Sequence, residues 1–405
     1  MKACKPIISF IIFIFLTSDV IAASYGDVRV DGRKLLVNQN GTFKPYIIRG
    51  VGYNPAPVNT FFSQYGWCER CDRYSGCTYP DNNGDGFACE SWPDSAPSLY
   101  DRKDVDLNRD FSLLNGMGVN TIRTWDKATL KLLDKAQAHG IKVIAGFWVD
   151  YGLDFSNARV RAKLIKEFED YVKKFKNHPA ILFWAIGNES NYKVSGQEQL
   201  KAMYSLFNEM AGRAHQLEGG SFHPVSLMNG DLANLGSSLC FSDDVHLPNV
   251  DLWGINVYRG RSFGSLFKEY QRLSQKPLWI AEYGADAYDN RENREDQKVQ
   301  ADWAGNLWDE IAQNNSYNSS AAPVCVGASI MSFTDEYWKA NGEWKASAGS
   351  QETGGMSSPG GAPDNFKNEE WWGLFAIANQ GKNPDKRFPR EVVNTLRERF
   401  SRLNP

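Results

Sequence analysis

The sequence predicts an α/β protein, a (β/α)8 TIM barrel with disulfide-rich and Gly-rich loop insertions at its active-site face, on three observations. Eight short apolar runs recur along the chain, at 46–53, 119–125, 141–148, 181–186, 225–229, 252–258, 278–282 and 328–333. Helical patterns and loops lie between them, as crossovers between neighbouring parallel strands require. Two of the runs end abruptly in a glutamate: Ile181-Leu182-Phe183-Trp184-Ala185-Ile186-Gly187-Asn188-Glu189 and Pro277-Leu278-Trp279-Ile280-Ala281-Glu282-Tyr283-Gly284. A barrel collects such residues at the carboxyl ends of its strands, where they face a cleft.

At the start of the chain, Lys2 and Lys5 precede an apolar run over 7–16 and a small-residue exit at Ala22-Ala23. This reads as a secretory leader over 1–23, and a secreted or periplasmic protein beginning near Ser24 is expected. No later segment holds about 20 uninterrupted apolar residues, so no membrane span is expected. The rest, 24–405, is read as one barrel domain. Asp31-Gly32 and Asn40-Gly41 mark turns before the first barrel strand.

Behind that strand comes a long insertion, 54–100, with Cys68, Cys71, Cys77 and Cys89. With Cys4 lost in the leader, six cysteines remain, an even number that reads as disulfides in an exported chain. Cys240 and Cys325 are left to pair with each other, while the connectivity inside the cluster stays open. Zinc held by Cys68 and Cys71 is the competing reading, disfavoured by export. Asp81-Asn82-Asn83-Gly84-Asp85-Gly86 places oxygen ligands at Asp81, Asn83 and Asp85, as in the first half of a calcium loop, but the twelfth position is Trp92 where such a loop has Glu. A structural Ca²⁺ and a polar turn are both compatible with it. Sequons begin at Asn40, Asn314 and Asn318.

Val160, Leu164, Phe168, Val172 and Phe175 recur at helical spacing, and Tyr204, Leu206, Met210 and Ala214 repeat the pattern more loosely. A second long insertion, 334–384, passes through the Gly/Ser/Pro-rich stretch 349–363 to Trp371-Trp372. Tryptophans are out of place on a purely flexible linker, so this segment is expected to wall or cover the cleft. No repeat of fixed period is present, which argues against a solenoid or propeller.

The 45 basic and 48 acidic side chains balance, with no basic stripe, so nucleic acid is not an expected partner. The 13 Trp and 17 Tyr suit sugar rings as well as cores. Paired carboxyl groups at strand tips are what glycoside hydrolysis needs: one protonates the leaving oxygen, the other attacks the anomeric carbon or activates water. A separation of about 5 Å between them is expected for a reaction that retains anomeric configuration.

Trp184-Ala185-Ile186-Gly187-Asn188-Glu189 and Ile280-Ala281-Glu282-Tyr283-Gly284-Ala285-Asp286 resemble the fourth- and seventh-strand motifs of the clan A glycoside hydrolases, closest to the family 2 catalytic barrels of the β-glucuronidase group. Asn120-Thr121-Ile122-Arg123 resembles the second strand and Trp253-Gly254-Ile255-Asn256-Val257-Tyr258 the sixth, so the likeness covers most of 24–405. It implies a retaining β-glycoside hydrolase with Glu189 as general acid/base and Glu282 as nucleophile. Arg123 and Tyr258 would donate to Glu282, and Asn188 would bind the sugar 2-hydroxyl. Glu189 then needs a raised pKa, and Glu282 needs donors to stay ionised.

Trp148, Tyr283 and Trp338, with Trp371 and Trp372, are candidate sugar platforms. The bland readings are a strand-end carboxylate capping a helix, a structural Arg123 ion pair and packed aromatics. No cofactor is required, the partner is a β-linked oligo- or polysaccharide, and a monomer is expected. Two departures stand out. The residues before Tyr46 cannot encode the sandwich domains of family 2, and Ile330-Met331-Ser332-Phe333 lacks the Trp that the eighth strand usually offers, for which Trp338 is the substitute. The single barrel and the Glu-Tyr-Gly wording also resemble family 72, the β-1,3-glucan transglycosylases. Transglycosylation by the same two glutamates is therefore the alternative, with a non-catalytic sugar-binding barrel behind it.

Overall fold

The structure is a computed structural model that describes residues 27–55, 98, 100, 102–219, 223–318, 322–337, 339, 351, 353–378 and 386–403. The segment expected to be a leader (1–23), the Cys68–Cys89 cluster with Asp81, Asn83 and Asp85, and Trp338 lie outside the described residues.

Three short antiparallel strands open the chain: β1 (Val28–Asp31), β2 (Lys34–Gln39) and β3 (Thr42–Pro45). Their turns fall where Gly32 (φ +57°) and Asn40-Gly41 (φ +54° and +85°) take the left-handed backbone that Gly and Asn tolerate. Val28, Leu35 and Val37 of this meander share an apolar cluster with Ile48, Ile144, Phe183, Trp279 and Val326 of the barrel strands. The sheet thus plugs one end of the barrel. Its strands were not anticipated, because charged Lys34 and Lys44 interrupt runs already too short to show a period.

The eight anticipated strands close a parallel barrel: β4 (Ile48–Gly52), β5 (Thr121–Arg123), β6 (Lys142–Phe147), β7 (Ile181–Ile186), β8 (Val225–Gly230), β9 (Leu252–Asn256), β10 (Leu278–Tyr283) and β13 (Cys325–Ile330). Around them run α1 (Asp104–Gly116), α2 (Leu130–Ala138), α3 (Ala158–Phe175), the single turn α4 (Ser190–Lys193), α5 (Gln197–Glu218), α6 (Leu266–Leu273), α7 (Gln297–Gln313) and α8 (Glu391–Ser401). Helix α3 starts where the Asn157 side chain accepts from the backbone N–H groups of Arg159 and Val160, and it buries Val160, Leu164, Phe168, Val172 and Phe175, as their spacing requires. No described helix is long and apolar enough to cross a membrane.

The second insertion and the residues just after it carry paired short strands, β14 (Met356–Ser357) with β15 (Phe366–Lys367) and β16 (Phe375–Ala378) with β17 (Lys386–Pro389); β11 (Tyr288–Asp289) and β12 (Arg294–Glu295) form another ribbon after β10. The insertion is anchored from below. Arg390, fully buried before α8, donates to Asp335 Oδ1 (2.6 Å) and Oδ2 (3.0 Å) and to the Gly373 carbonyl (2.6 Å). Asp335→Ala should therefore leave the buried guanidinium with only Glu295 (Nε to Oε1, 2.6 Å) as a counter-charge among the described residues, and cost about 3 kcal/mol in denaturant unfolding.

Cys240 and Cys325 do not pair; both are free and buried. Cys240 sits in the loop after β8, close enough to Tyr204 of α5 to act on its phenol. Cys325 opens the eighth barrel strand beside Tyr270 and Tyr283, where burial pushes its thiol up to about 12. Bridging needs Cα atoms within about 7 Å, and an even count carries no such proximity.

Candidate active site

The carboxyl ends of β5, β7, β9 and β10 build the site. Strand β7 ends in a sharp turn: Gly187 (φ +75°) and Glu189 (φ +52°) are both left-handed, and the Glu189 N–H donates to the Met228 carbonyl of β8 (3.1 Å). A non-glycine residue held in that region stores strain, a feature found at functional sites. It turns the chain out of the sheet at Asn188, so that Glu189 stands at the strand tip.

Glu282, 7% exposed near the end of β10, is held by three donors. Arg123 Nη1 reaches its Oε1 at 2.7 Å, the Trp125 indole Nε1 reaches the same oxygen at 2.8 Å, and the Tyr258 hydroxyl reaches Oε2 at 3.0 Å. Together they fix the orientation of both carboxyl oxygens. Arg123 Nη2 also donates to Asn188 Oδ1 (2.7 Å), and Asn256 Nδ2 donates to both Asn188 Oδ1 (3.1 Å) and Glu189 Oε1 (3.0 Å). The two glutamates thus belong to one hydrogen-bonded frame with Arg123, Asn188 and Asn256 between them.

Their environments differ. Burial first, and then the negative charge of Glu282, push the Glu189 carboxyl up to about 7, against the pull of the Asn256 hydrogen bond and of Arg123 and Lys339. Glu189 therefore still holds its proton in about half of the molecules at pH 7 and in more of them below it, as an acid must. Activity should fall along an alkaline limb centred near pH 7 as that proton is lost, and the limb should flatten for substrates whose leaving group needs no protonation. The same shift has a sign for stability. A carboxyl raised on folding contributes most below its ordinary value of 4.5 and loses that contribution as pH rises to about 7. Glu189→Gln should accordingly gain melting temperature relative to the parent above pH 7 and not below pH 4.5.

Arg123, Asn188, Tyr258, Glu189 and Glu282 are brought together as the motifs imply. Trp125 and Asn256 were missed. Each lies two residues from an anticipated neighbour, Arg123 and Tyr258, and so on the same face of an extended chain; that alternation was the available signal. Asn256 is also the direct register partner of Glu282 across β9 and β10. The Trp125 ring fits because Gly52 has no side chain: a Cβ there would come within 2.6 Å of the indole.

Tyr283 is a correction. It is fully buried and packs its ring against Phe263 (centroids 6.3 Å apart), because the residue next to Glu282 on a strand points to the opposite face, under the helices. It offers no platform to a sugar. Trp148 stands half-buried just beyond β6 at the cleft end. Trp372 meets Tyr258 edge to face (4.8 Å) and Trp371 packs over Tyr288 (4.7 Å), so both brace the wall that the second insertion forms. Tyr258→Phe should lower kcat/KM by roughly 10- to 100-fold, the worth of one hydrogen bond to a carboxylate, with the folded structure intact by circular dichroism.

Residues 102–303 match the family model described as glycosyl hydrolases family 2, TIM barrel domain. The chain is a clan A glycoside hydrolase barrel of the family 2 type. Among curated relatives of this barrel, the β-glucuronidase of Rattus norvegicus is 28% identical over 200 residues, which are 45% of this chain and 28% of that protein. The β-glucuronidase of Sus scrofa is 29% identical over 199 residues, 44% of this chain and 28% of that one. The matched stretch thus spans less than a third of those relatives.

Solved structures extend the match in fold. The β-glucuronidase of Bifidobacterium dentium superposes with a TM-score of 0.60 at 18% identity, covering 93% of this chain and 49% of that one. The family 2 β-galacturonidase of Eisenbergiella tayi superposes at 0.56 and 17% identity, covering 93% and 54%.

Proposed function

We propose that this barrel hydrolyses a β-linked oligo- or polysaccharide of neutral sugars by double displacement, with retention of anomeric configuration. The observation that carries the reading is the split between the two glutamates in one frame: Glu282 under three donors, Glu189 raised to about 7. In the first step Glu282 attacks the anomeric carbon while Glu189 gives its proton to the glycosidic oxygen, and the leaving sugar departs as an alcohol. Oε2, held by one donor where Oε1 has two, has the lone pair to offer. In the second step Glu189, now a carboxylate, takes a proton from water, whose oxygen attacks the anomeric carbon and displaces Glu282. Asn188, its Oδ1 occupied by Arg123 and Asn256, turns its NH2 to the 2-hydroxyl.

Charge at the site supports a neutral sugar over a uronate. Among the described residues, Arg123 and Lys339 are the cations that pull most on Glu189, and both are matched. Arg123 pairs with Glu282, and the Lys339 ammonium lies 2.8 Å from Glu336 and 2.9 Å from Glu369. A uronate carboxylate would meet Glu336 and Glu369 around the cation that it needs. The test is a comparison of aryl β-glycosides and oligosaccharides of glucose, galactose, mannose and glucuronic acid, with the anomer of the first product read by NMR. At least one neutral series should be turned over faster than the glucuronide, with the β anomer formed first. Preference for the glucuronide would overturn the substrate class, an α first product would overturn the double displacement, and longer products in place of shorter ones would make the chain a transglycosylase.

A further inference from the structure

Tyr192 belongs to none of the roles above, yet this side chain of α4 stands openly at the mouth of the site. It is 53% exposed, while Trp125, Tyr258 and Trp372 around Glu282 are buried or half-buried. Its backbone N–H donates to the Glu189 carbonyl at 3.0 Å, so it sits one turn beyond the acid/base. Its ring packs closely against Gly230 at the end of β8: a Cβ on that glycine would come within 2.1 Å of ring atom Cε2. The platform is held rigidly. Asn191 Nδ2 donates to the carbonyls of Gly230 (3.0 Å) and Ala233 (3.1 Å), and its Oδ1 accepts from the Gly230 N–H (2.7 Å).

The phenol end is also placed. Glu189, Asp231 and Arg259 all act on it, and partial burial first and then the carboxylates raise it to about 12. Asp231 and Arg259 form a bidentate pair there, Arg259 Nε to Oδ2 at 2.8 Å and Nη2 to Oδ1 at 2.6 Å, with side chains 20% and 28% exposed. Beyond Arg259 a hollow continues between Tyr258 and Ser358, Pro359, Gly360 and Gly361 of the second insertion.

We infer that Tyr192, with the Asp231–Arg259 pair, is the binding site of the leaving-group sugar, a neutral pyranose residue. Glu189 must touch the glycosidic oxygen, so what lies past Glu189, away from Glu282, is the departing sugar or an incoming acceptor. A rigid, half-open aromatic face binds the C–H face of a pyranose, and a planar charged pair beside it takes the hydroxyls. The inference rests on Glu189 being the acid/base of a double displacement.

The test separates the two. The intact protein is treated with the 2-deoxy-2-fluoro-β-glycosyl fluorides of glucose, galactose and mannose, and covalent labelling of Glu282 is followed by mass. The labelled protein is then reactivated with cellobiose or laminaribiose. An acceptor hydroxyl oxygen attacks the anomeric carbon, its proton passes to Glu189, and the ester bond to Glu282 breaks. Reactivation of the parent should saturate with acceptor. In Tyr192→Ala the ratio of reactivation efficiency to labelling rate should fall about tenfold or more; taking the ratio cancels any loss of folded protein. Tyr192→Phe, which keeps the ring, should retain most of it. An unchanged ratio in Tyr192→Ala, or a parent that neither disaccharide reactivates, would overturn the leaving-group site. No labelling of Glu282 by any of the fluorides would overturn the double displacement itself.

Discussion

Glu282→Gln is expected to abolish turnover, with kcat falling by at least about 10⁴-fold and no glycosyl-enzyme detectable by mass. The amide keeps the shape of the carboxylate but not its nucleophilic oxygen. Its carbonyl can still accept from Arg123 Nη1 and Trp125 Nε1, and the Tyr258 hydroxyl can turn from donor to acceptor, so the frame can survive. Two consequences separate this from simple unfolding. The buried Arg123 loses its counter-charge, so the melting temperature should fall. Glu189 loses the charge that helps to raise it, so its carboxyl should titrate below about 7, which carbon NMR of labelled glutamate would read. Near-parental rates in this variant would remove Glu282 from the chemistry.

The second large effect is that of Glu189→Ala, and it should depend on the leaving group. With an oligosaccharide, whose leaving oxygen needs a proton, kcat/KM should fall by roughly 10²- to 10⁴-fold. With a dinitrophenyl glycoside, which leaves unaided, the first step should survive and the glycosyl-enzyme should accumulate, because water has lost its base. Added azide should then restore turnover and yield the β-glycosyl azide, of retained configuration. Azide rescue of the Glu282 variant with retained configuration would reverse the two roles. The raised carboxyl explains the expected asymmetry: on the proposed mechanism Glu189 acts by giving and taking back a proton, Glu282 by its attacking oxygen.

Much of this was legible before any coordinates. The eight barrel strands could be read because each is a short apolar run between turn signals, a local property. Both catalytic candidates could be read because an apolar run that stops in Asn188-Glu189 or at Glu282 leaves a carboxyl at a strand tip. Arg123, Asn188 and Tyr258 followed from likeness to known motifs. The failures share a cause. Tyr283 was taken for a sugar platform because adjacency in sequence was read as adjacency in space, whereas strand alternation sends it to the opposite face from Glu282. Cys240 and Cys325 were joined by parity, yet they sit beside different partners, Tyr204 and Tyr283. Trp125 and Asn256 were passed over because their part in the site depends on which strand tips are neighbours.

By itself, then, the sequence determined the barrel, the two strand tips that carry carboxyl groups and the long segments beside them, all of which follow from hydrophobic period and local turn chemistry. Only the tertiary structure decided how the two glutamates differ. Burial of Glu189, its nearness to Glu282, and the donors that Arg123, Trp125 and Tyr258 bring to Glu282 come from β5, β7, β9 and β10, elements up to 159 residues apart in the chain. A proton's affinity is set by the charges and donors within a few ångströms of it, and no local pattern in a sequence records those.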